Sequence, residues 1–192
     1  MNRGEPVIDA GTGLVHGARQ LPSPNCDDRP AGTEPDLIVI HGISLPVGKF
    51  GGPWIDALFT NVLDPAAHPS FAEIAPLQVS AHLLIRRDGE LVQYVPLHRR
   101  AWHAGRSRHC GREACNDFSI GIELEGADDV PYEPVQYEVL ARLIQALRCA
   151  YPSLGRAPVV GHSDIAPERK SDPGPAFDWG RLASHMERVR QA

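Results

Sequence analysis

The chain has 192 residues, 42% of them hydrophobic and 22% charged, which suits one domain with a real core. Its formal net charge of −5 argues against nucleic acid as the main partner, since phosphate binders are normally basic. No apolar run approaches membrane-spanning length, and 18 prolines with 18 glycines point to long structured loops, where sites are commonly built.

Residues 1–36 are polar and rich in Pro, Gly and Asp. They predict an irregular N-terminal arm wrapped on the domain, with room for a short strand, and a solvated His16. Residues 1–20 hold no apolar core of the length export needs, so a cytoplasmic location is expected. Cys26, Cys110, Cys115 and Cys149 show no Cys-x-x-Cys spacing and are expected as reduced thiols. Leu37, Ile38, Val39 and Ile40 then run into His41, the pattern of a strand buried on both faces that ends in an imidazole. Such a histidine becomes a ligand candidate only if partners converge on it.

Residues 42–79 form a long excursion, of the length that serves lids and binding loops. Pro53 opens a short helix over 54–59, and Trp54, Leu58, Phe59 and Phe71 can give the excursion a small core. Asp88-Gly89 between two strand-like runs predicts a hairpin over 80–95, with His82 mid-strand in a buried structural role. Residues 96–117 are another loop, carrying Trp102, His103 and several arginines.

Over 118–125, alternation puts Ile120, Ile122 and Leu124 on one face and Gly121, Glu123 and Glu125 on the other. The glycine leaves room for something to approach the sheet beside the two acids, either of which can also be plainly exposed. Residues 134–151 predict a helix with Tyr137, Leu140, Ile144, Leu147 and Tyr151 as its apolar stripe, ended by Pro152. A final helix begins at Asp178 or beside it, with His185 at the surface.

The intervening segment concentrates polar chemistry. His162, Asp164, Glu168, Lys170 and Asp172 share one Pro-rich stretch that cannot be mostly helix. Pro173 biases Asp172 to an extended conformation, and in an extended run Lys170 and Asp172 share a face. An imidazole, a carboxylate and a cation on one rigid loop fit a metal site with an adjacent positive charge; a turn of solvated charges fits the same residues. The order of elements predicts a single α/β (α+β) domain over 1–192, a central mixed β-sheet flanked by helices, with long loops around the site.

Several motifs recur in order: His41; Ser80-Ala81-His82; Trp102-His103-Ala104-Gly105; Asn116 through Gly126; and Gly161-His162 followed by Lys170 to Gly174. With them the chain resembles the zinc-dependent N-acetylmuramoyl-L-alanine amidases between residues 20 and 180. Among these it is similar to the cytoplasmic AmpD-type that acts on 1,6-anhydro muropeptides; phage T7 lysozyme and the peptidoglycan recognition proteins share the fold family. The resemblance implies one zinc ion held by His41, His162 and Asp172, with Glu123 and Lys170 as catalytic side chains. Asp164, whose His-x-Asp spacing competes for the ligand role, is set aside on the same ground. Gly42 stands where the family often has Asn, which bears on fine positioning only.

The implied chemistry is coherent. Two imidazoles and a carboxylate leave zinc a fourth position for water. Glu123 can take a proton from that water and pass it to the leaving amine. Lys170 can support the oxyanion. The implied reaction is hydrolysis of the amide between the lactyl group of anhydro-N-acetylmuramic acid and L-alanine, in peptidoglycan recycling, which in some hosts bears on β-lactamase induction. The implied partner is an anhydro-muropeptide, with neither nucleic acid nor membrane, and a monomer is expected. Trp102, Arg169 and Arg112 are the substrate-binding candidates, since stem peptides carry carboxylates that arginine binds bidentately. Arg106 and Arg108 lie near the same loops; for these two and Arg112 a solvated side chain is the preferred reading, Arg169 inside the zinc loop is the best candidate of the four, and Trp102 can equally be core. A non-catalytic muropeptide-binding module of the same fold is the alternative. Retention of all five catalytic and ligand residues favours the enzyme. A closed structural zinc site would want four ligands rich in Cys, and the cysteines are not placed for it.

Overall fold

The structure, a computed structural model, describes residues 6–191. A hairpin of β1 (Val7–Asp9) and β2 (Leu14–His16) is followed by the short strands β3 (Arg19–Gln20) and β4 (Cys26–Asp27). Next come β5 (Leu37–Ile43), α1 (Trp54–Phe59), β6 (Leu83–Ile85) and β7 (Leu91–Gln93). Short strands β8 (Arg100–Ala101), β9 (Arg108–His109) and β10 (Arg112–Glu113) lead to β11 (Ser119–Glu125). The chain closes with α2 (Pro134–Ala150), β12 (Val159–Gly161), the single turn α3 (His162–Ile165) and α4 (Trp179–Gln191).

The main sheet runs β12-β5-β11-β6-β7-β3. Its neighbours are parallel except for the antiparallel β6–β7 hairpin, so the sheet is mixed as expected. The apolar runs of β5 and β11 take its centre, because only a central strand buries both faces. Ile38, Ile40, Ile120, Ile122, Leu124, Leu83 and Ile85 form one continuous core with α2 and with Leu182 of α4. Helix α2 starts on a capping box between Glu133 and Gln136, with Pro134 in its first turn. The buried Gln136 also donates to the carbonyls of Ile85 and Glu125, tying the ends of β6 and β11 to the helix.

The opposite face carries two smaller cores. Ile55, Leu58, Phe59 and Phe71 from the 42–79 excursion pack on Leu84, Val92 and Tyr94 of the sheet side, so the excursion shares its core with the sheet. Leu37, Val39, Ala104, Cys115, Phe118 and Ile165 form the other cluster. Between β5 and β6 on this face, β11 contributes Ser119, Gly121 and Glu123, none of which belongs to either cluster.

The N-terminal arm differs from the irregular segment expected. Strand β3 extends the main sheet beside β7, and β4 pairs with β8. Strands of two or three residues carry too little alternation to be read from sequence; β1 and β2 form by pairing with each other, β3 and β4 by pairing with distant strands. All four cysteines are free.

Candidate active site and metal centre

Strands β5 and β11 are in parallel register with Glu123 opposite His41, so both side chains emerge on the face without α2. β12 ends at Gly161 beside Ile40 and runs straight into α3, which delivers His162 next to His41. Asp172 arrives from the following loop; the backbone N–H of Ser163 donates to its carbonyl at 3.0 Å. The result is a triangle of donor atoms. His41 Nδ1 lies 3.0 Å from His162 Nδ1, and Asp172 Oδ2 lies 3.2 Å and 3.1 Å from these two nitrogens. Ligands about 2.0–2.1 Å from a tetrahedral ion sit about 3.3 Å apart, so the donor set and its spacing fit a metal ion. These three residues are a group that could hold one.

Electrostatics favour the ligating forms. Burial pushes the His41 imidazolium pKa down to about 4, with the neighbouring Asp172 carboxylate opposing it. A neutral imidazole is the form that binds metal. Burial alone would raise the Asp172 carboxyl, but the imidazoles of His162 and His41 beside it outweigh burial and hold the group well below the usual carboxylate range.

Glu123 of β11, opposite His41, is buried, 8% exposed. Burial, and next the charge of Asp172, push its pKa well above the usual range, while Lys170 works the other way. Its Oε2 is buried without a hydrogen-bond partner, a costly state for a polar atom unless a ligand or water meets it. Lys170 itself is exposed, at the end of the turn after α3, and its charge reaches both Glu123 and His41. The loop thus brings Asp172 against His41 and His162 and Lys170 within electrostatic reach of Glu123. The Asp172–Pro173 bond is cis.

The neighbouring acids are engaged elsewhere. Glu125 accepts from the backbone N–H groups of Gly51 at 2.6 Å and Arg87 at 3.2 Å, and so pins the 42–53 loop to the sheet. Asp164 accepts from Gly161 N–H at 2.7 Å and caps α3. His82 is fully buried, accepts from Gly121 N–H through Nδ1, and has its pKa pushed down to about 3, chiefly by burial.

Two glycines gain definite meanings. A side chain at Gly121 would collide with the imidazole of His103, so the approaching group is a histidine of this chain. A side chain at Gly42 would collide with the hydroxyl of Tyr132, which donates to the Pro173 carbonyl at 2.9 Å. The small residue after His41 therefore admits an aromatic that braces the residue after Asp172.

The substrate-binding candidates fall at different places. Arg169 is exposed and donates to the carbonyls of Ala104 at 2.7 Å and Arg106 at 2.9 Å. Its Ala104 acceptor also lies 3.2 Å from His162 Nε2, so Arg169 sits at the rim of the centre. Trp102 is half-buried, with its indole N–H on Asp27. Arg112 pairs with Asp36 at 2.6 Å and stacks 3.6 Å above the Phe118 ring. His103, Ser119 and Tyr132 had no role in the sequence reading. Only Gly121 on the Glu123 face and the Trp-His-Ala-Gly motif hinted at the first.

Comparison with known proteins identifies relatives over most of the chain. Residues 31–175 match the N-acetylmuramoyl-L-alanine amidase family. The 1,6-anhydro-N-acetylmuramyl-L-alanine amidase AmpD of Escherichia coli K12 is 63% identical over 170 residues, covering 88% of this chain and 92% of that protein. The enzyme of the same name from Haemophilus influenzae is 49% identical, covering 94% and 98%. A crystal structure of a selenomethionine AmpD derivative superposes with a TM-score of 0.89 at 58% identity, covering 93% of this chain and 98% of that one. With most of its length matched in sequence and in fold, the chain belongs to the N-acetylmuramoyl-L-alanine amidase family.

Proposed function

We propose that the chain hydrolyses the amide between 1,6-anhydro-N-acetylmuramic acid and the L-alanine of a muropeptide, with one zinc ion, during peptidoglycan recycling in the cytoplasm. The names of its relatives support the reaction and the anhydro sugar. So does the likeness to AmiD of E. coli, solved with anhydro-N-acetylmuramic acid-L-Ala-D-gamma-Glu-L-Lys, at 32% identity and a TM-score of 0.56, covering 82% of this chain and 60% of that one. The observation that carries the reading is the buried, unpartnered carboxyl of Glu123 beside three converging donors.

His41, His162 and Asp172 would hold the zinc. When bound, zinc supplies Lewis acidity that polarises the amide carbonyl and draws the pKa of a water from ~16 towards ~7. Glu123 accepts a proton from the attacking water, for which its raised proton affinity suits it, and returns that proton to the leaving nitrogen. Lys170 donates to the carbonyl oxygen as negative charge develops there. Arg169 is the candidate for a stem-peptide carboxylate and Trp102 for the sugar or peptide face. Arg112 would have to leave Asp36 to join them.

Chelation should abolish hydrolysis and equimolar zinc should restore it. Mass spectrometry of the products should find intact stem peptide and free anhydro sugar. Activity that survives a metal-free preparation would sink the zinc assignment. Cleavage inside the peptide, or equal turnover of reducing-end sugars, would overturn the substrate assignment.

A further inference from the structure

The two imidazoles of the triangle both turn Nδ1 inward, and each must therefore place its proton on Nε2. How the protein enforces this differs between them. His162 Nε2 faces the Ala104 carbonyl at 3.2 Å, which can only accept. His41 Nε2 instead faces His103 Nδ1 at 2.9 Å, a nitrogen that can accept or donate. What His103 does is decided one step further out. Ser119 Oγ lies 2.6 Å from the Cys115 carbonyl, a separation at which two oxygens need a proton between them. The single hydroxyl proton of Ser119 is thereby committed. Its oxygen can then only accept from His103 Nε2, 3.2 Å away. With its proton on Nε2, His103 offers a bare Nδ1, and His41 Nε2–H donates to it.

We propose that His103 and Ser119 are positioning residues for the metal: a relay from the Cys115 carbonyl through Ser119 and His103 holds His41 with Nδ1 bare toward the ion. The inference rests on the metal reading of the centre but assigns residues outside the ligand set. Two further features fit it. The backbone N–H groups of His103 and Ala104 both donate to Asn116 Oδ1, at 3.1 Å and 2.8 Å. One clamped dipeptide thus supplies the acceptors for both imidazole ligands. Gly121, two residues along β11 from Ser119, is bare where the His103 ring lies against the sheet. Removing such an outer partner typically weakens metal binding about 10–100-fold.

The test is zinc affinity by chelator competition, paired with 15N NMR of the histidine tautomers in the metal-free protein. Wild type should bind one zinc and show His41 protonated at Nε2 and bare at Nδ1. His103→Phe, which offers no acceptor, should bind zinc about 10–100-fold more weakly and mix the His41 tautomers. His103→Asn puts an acceptor oxygen near the Nδ1 position and should recover most of the loss. Ser119→Ala, a small change that keeps the assay open if the phenylalanine variant misfolds, should release the His103 tautomer and weaken zinc measurably. Affinities within twofold of wild type for both His103→Phe and Ser119→Ala, with His41 unchanged, would overturn the relay. A wild-type protein that binds no zinc would instead overturn the metal reading beneath it.

Discussion

The two faces of β5 and β11 use the same strands for opposite ends. On one face Ile38, Ile40, Ile120, Ile122 and Leu124 meet α2 and α4 in an uninterrupted apolar core. On the other, the alternate positions supply His41, Ser119, Gly121 and Glu123, and the apolar packing breaks into two separate clusters. Both faces are buried. Burial on the first removes apolar surface from water and stabilises the fold. Burial on the second raises the proton affinity of Glu123 and lowers that of His41, the directions that the proposed base and the proposed ligand would need. A rigid apolar face holds the strands in register, and that register brings a costly polar constellation together on the far side.

Mutations on the polar face should remove turnover and spare the fold. Glu123→Gln should cut kcat by about 10²–10⁴-fold while zinc content stays at one per chain, measured by steady-state kinetics and metal analysis. Near-wild-type rates would reassign the base. Lys170→Ala should follow, with a loss of about 10²–10³-fold in kcat and a smaller change in KM. The reverse pattern would mean that Lys170 binds the ground state. The apolar face should behave oppositely. Ile122→Ala should cost about 2–5 kcal/mol in denaturant unfolding, with kcat per folded molecule preserved. A large kcat loss in the folded variant would show that the two faces are not separable.

The smallest effect distinguishes the faces by pH. Folding raises the Glu123 pKa above its ordinary value of 4.5. The stability this group contributes is therefore fully present below that value and is lost as pH rises through its folded pKa. Glutamine cannot ionise and escapes this loss. Metal-free Glu123→Gln should thus melt higher than metal-free wild type at neutral pH and show no such advantage near pH 4. An equal gain at both values would assign the effect to packing instead.

Much of this was legible without coordinates. The unbroken apolar run before His41 marked a central strand, because a strand buried on both faces needs no alternation. Alternation over 118–125 separated Glu123 from Ile122 correctly, and Asp88-Gly89 marked the β6–β7 hairpin. The resemblance named His41, His162 and Asp172, whose donor atoms the fold brings within 3.2 Å of one another.

What remained out of reach depends on contacts between residues far apart in the chain. Glu123 and Glu125 lie on the same strand face and look alike in sequence. Only the arrival of Gly51 and Arg87 on Glu125 leaves Glu123 as the unpartnered acid. Gly42 read as a missing side chain until Tyr132, from a distant turn, took up the space beside it. In the arm before β5, Arg19–Gln20 and Cys26–Asp27 became strands only because β7 and β8 offered them edges. Sequence patterns report periodicity and local backbone preference, which decide where elements form and which way their side chains point. Which buried polar group finds a partner, and which is left for chemistry, is settled by tertiary packing, because the cost of an unmet hydrogen bond is set by the neighbours that surround it.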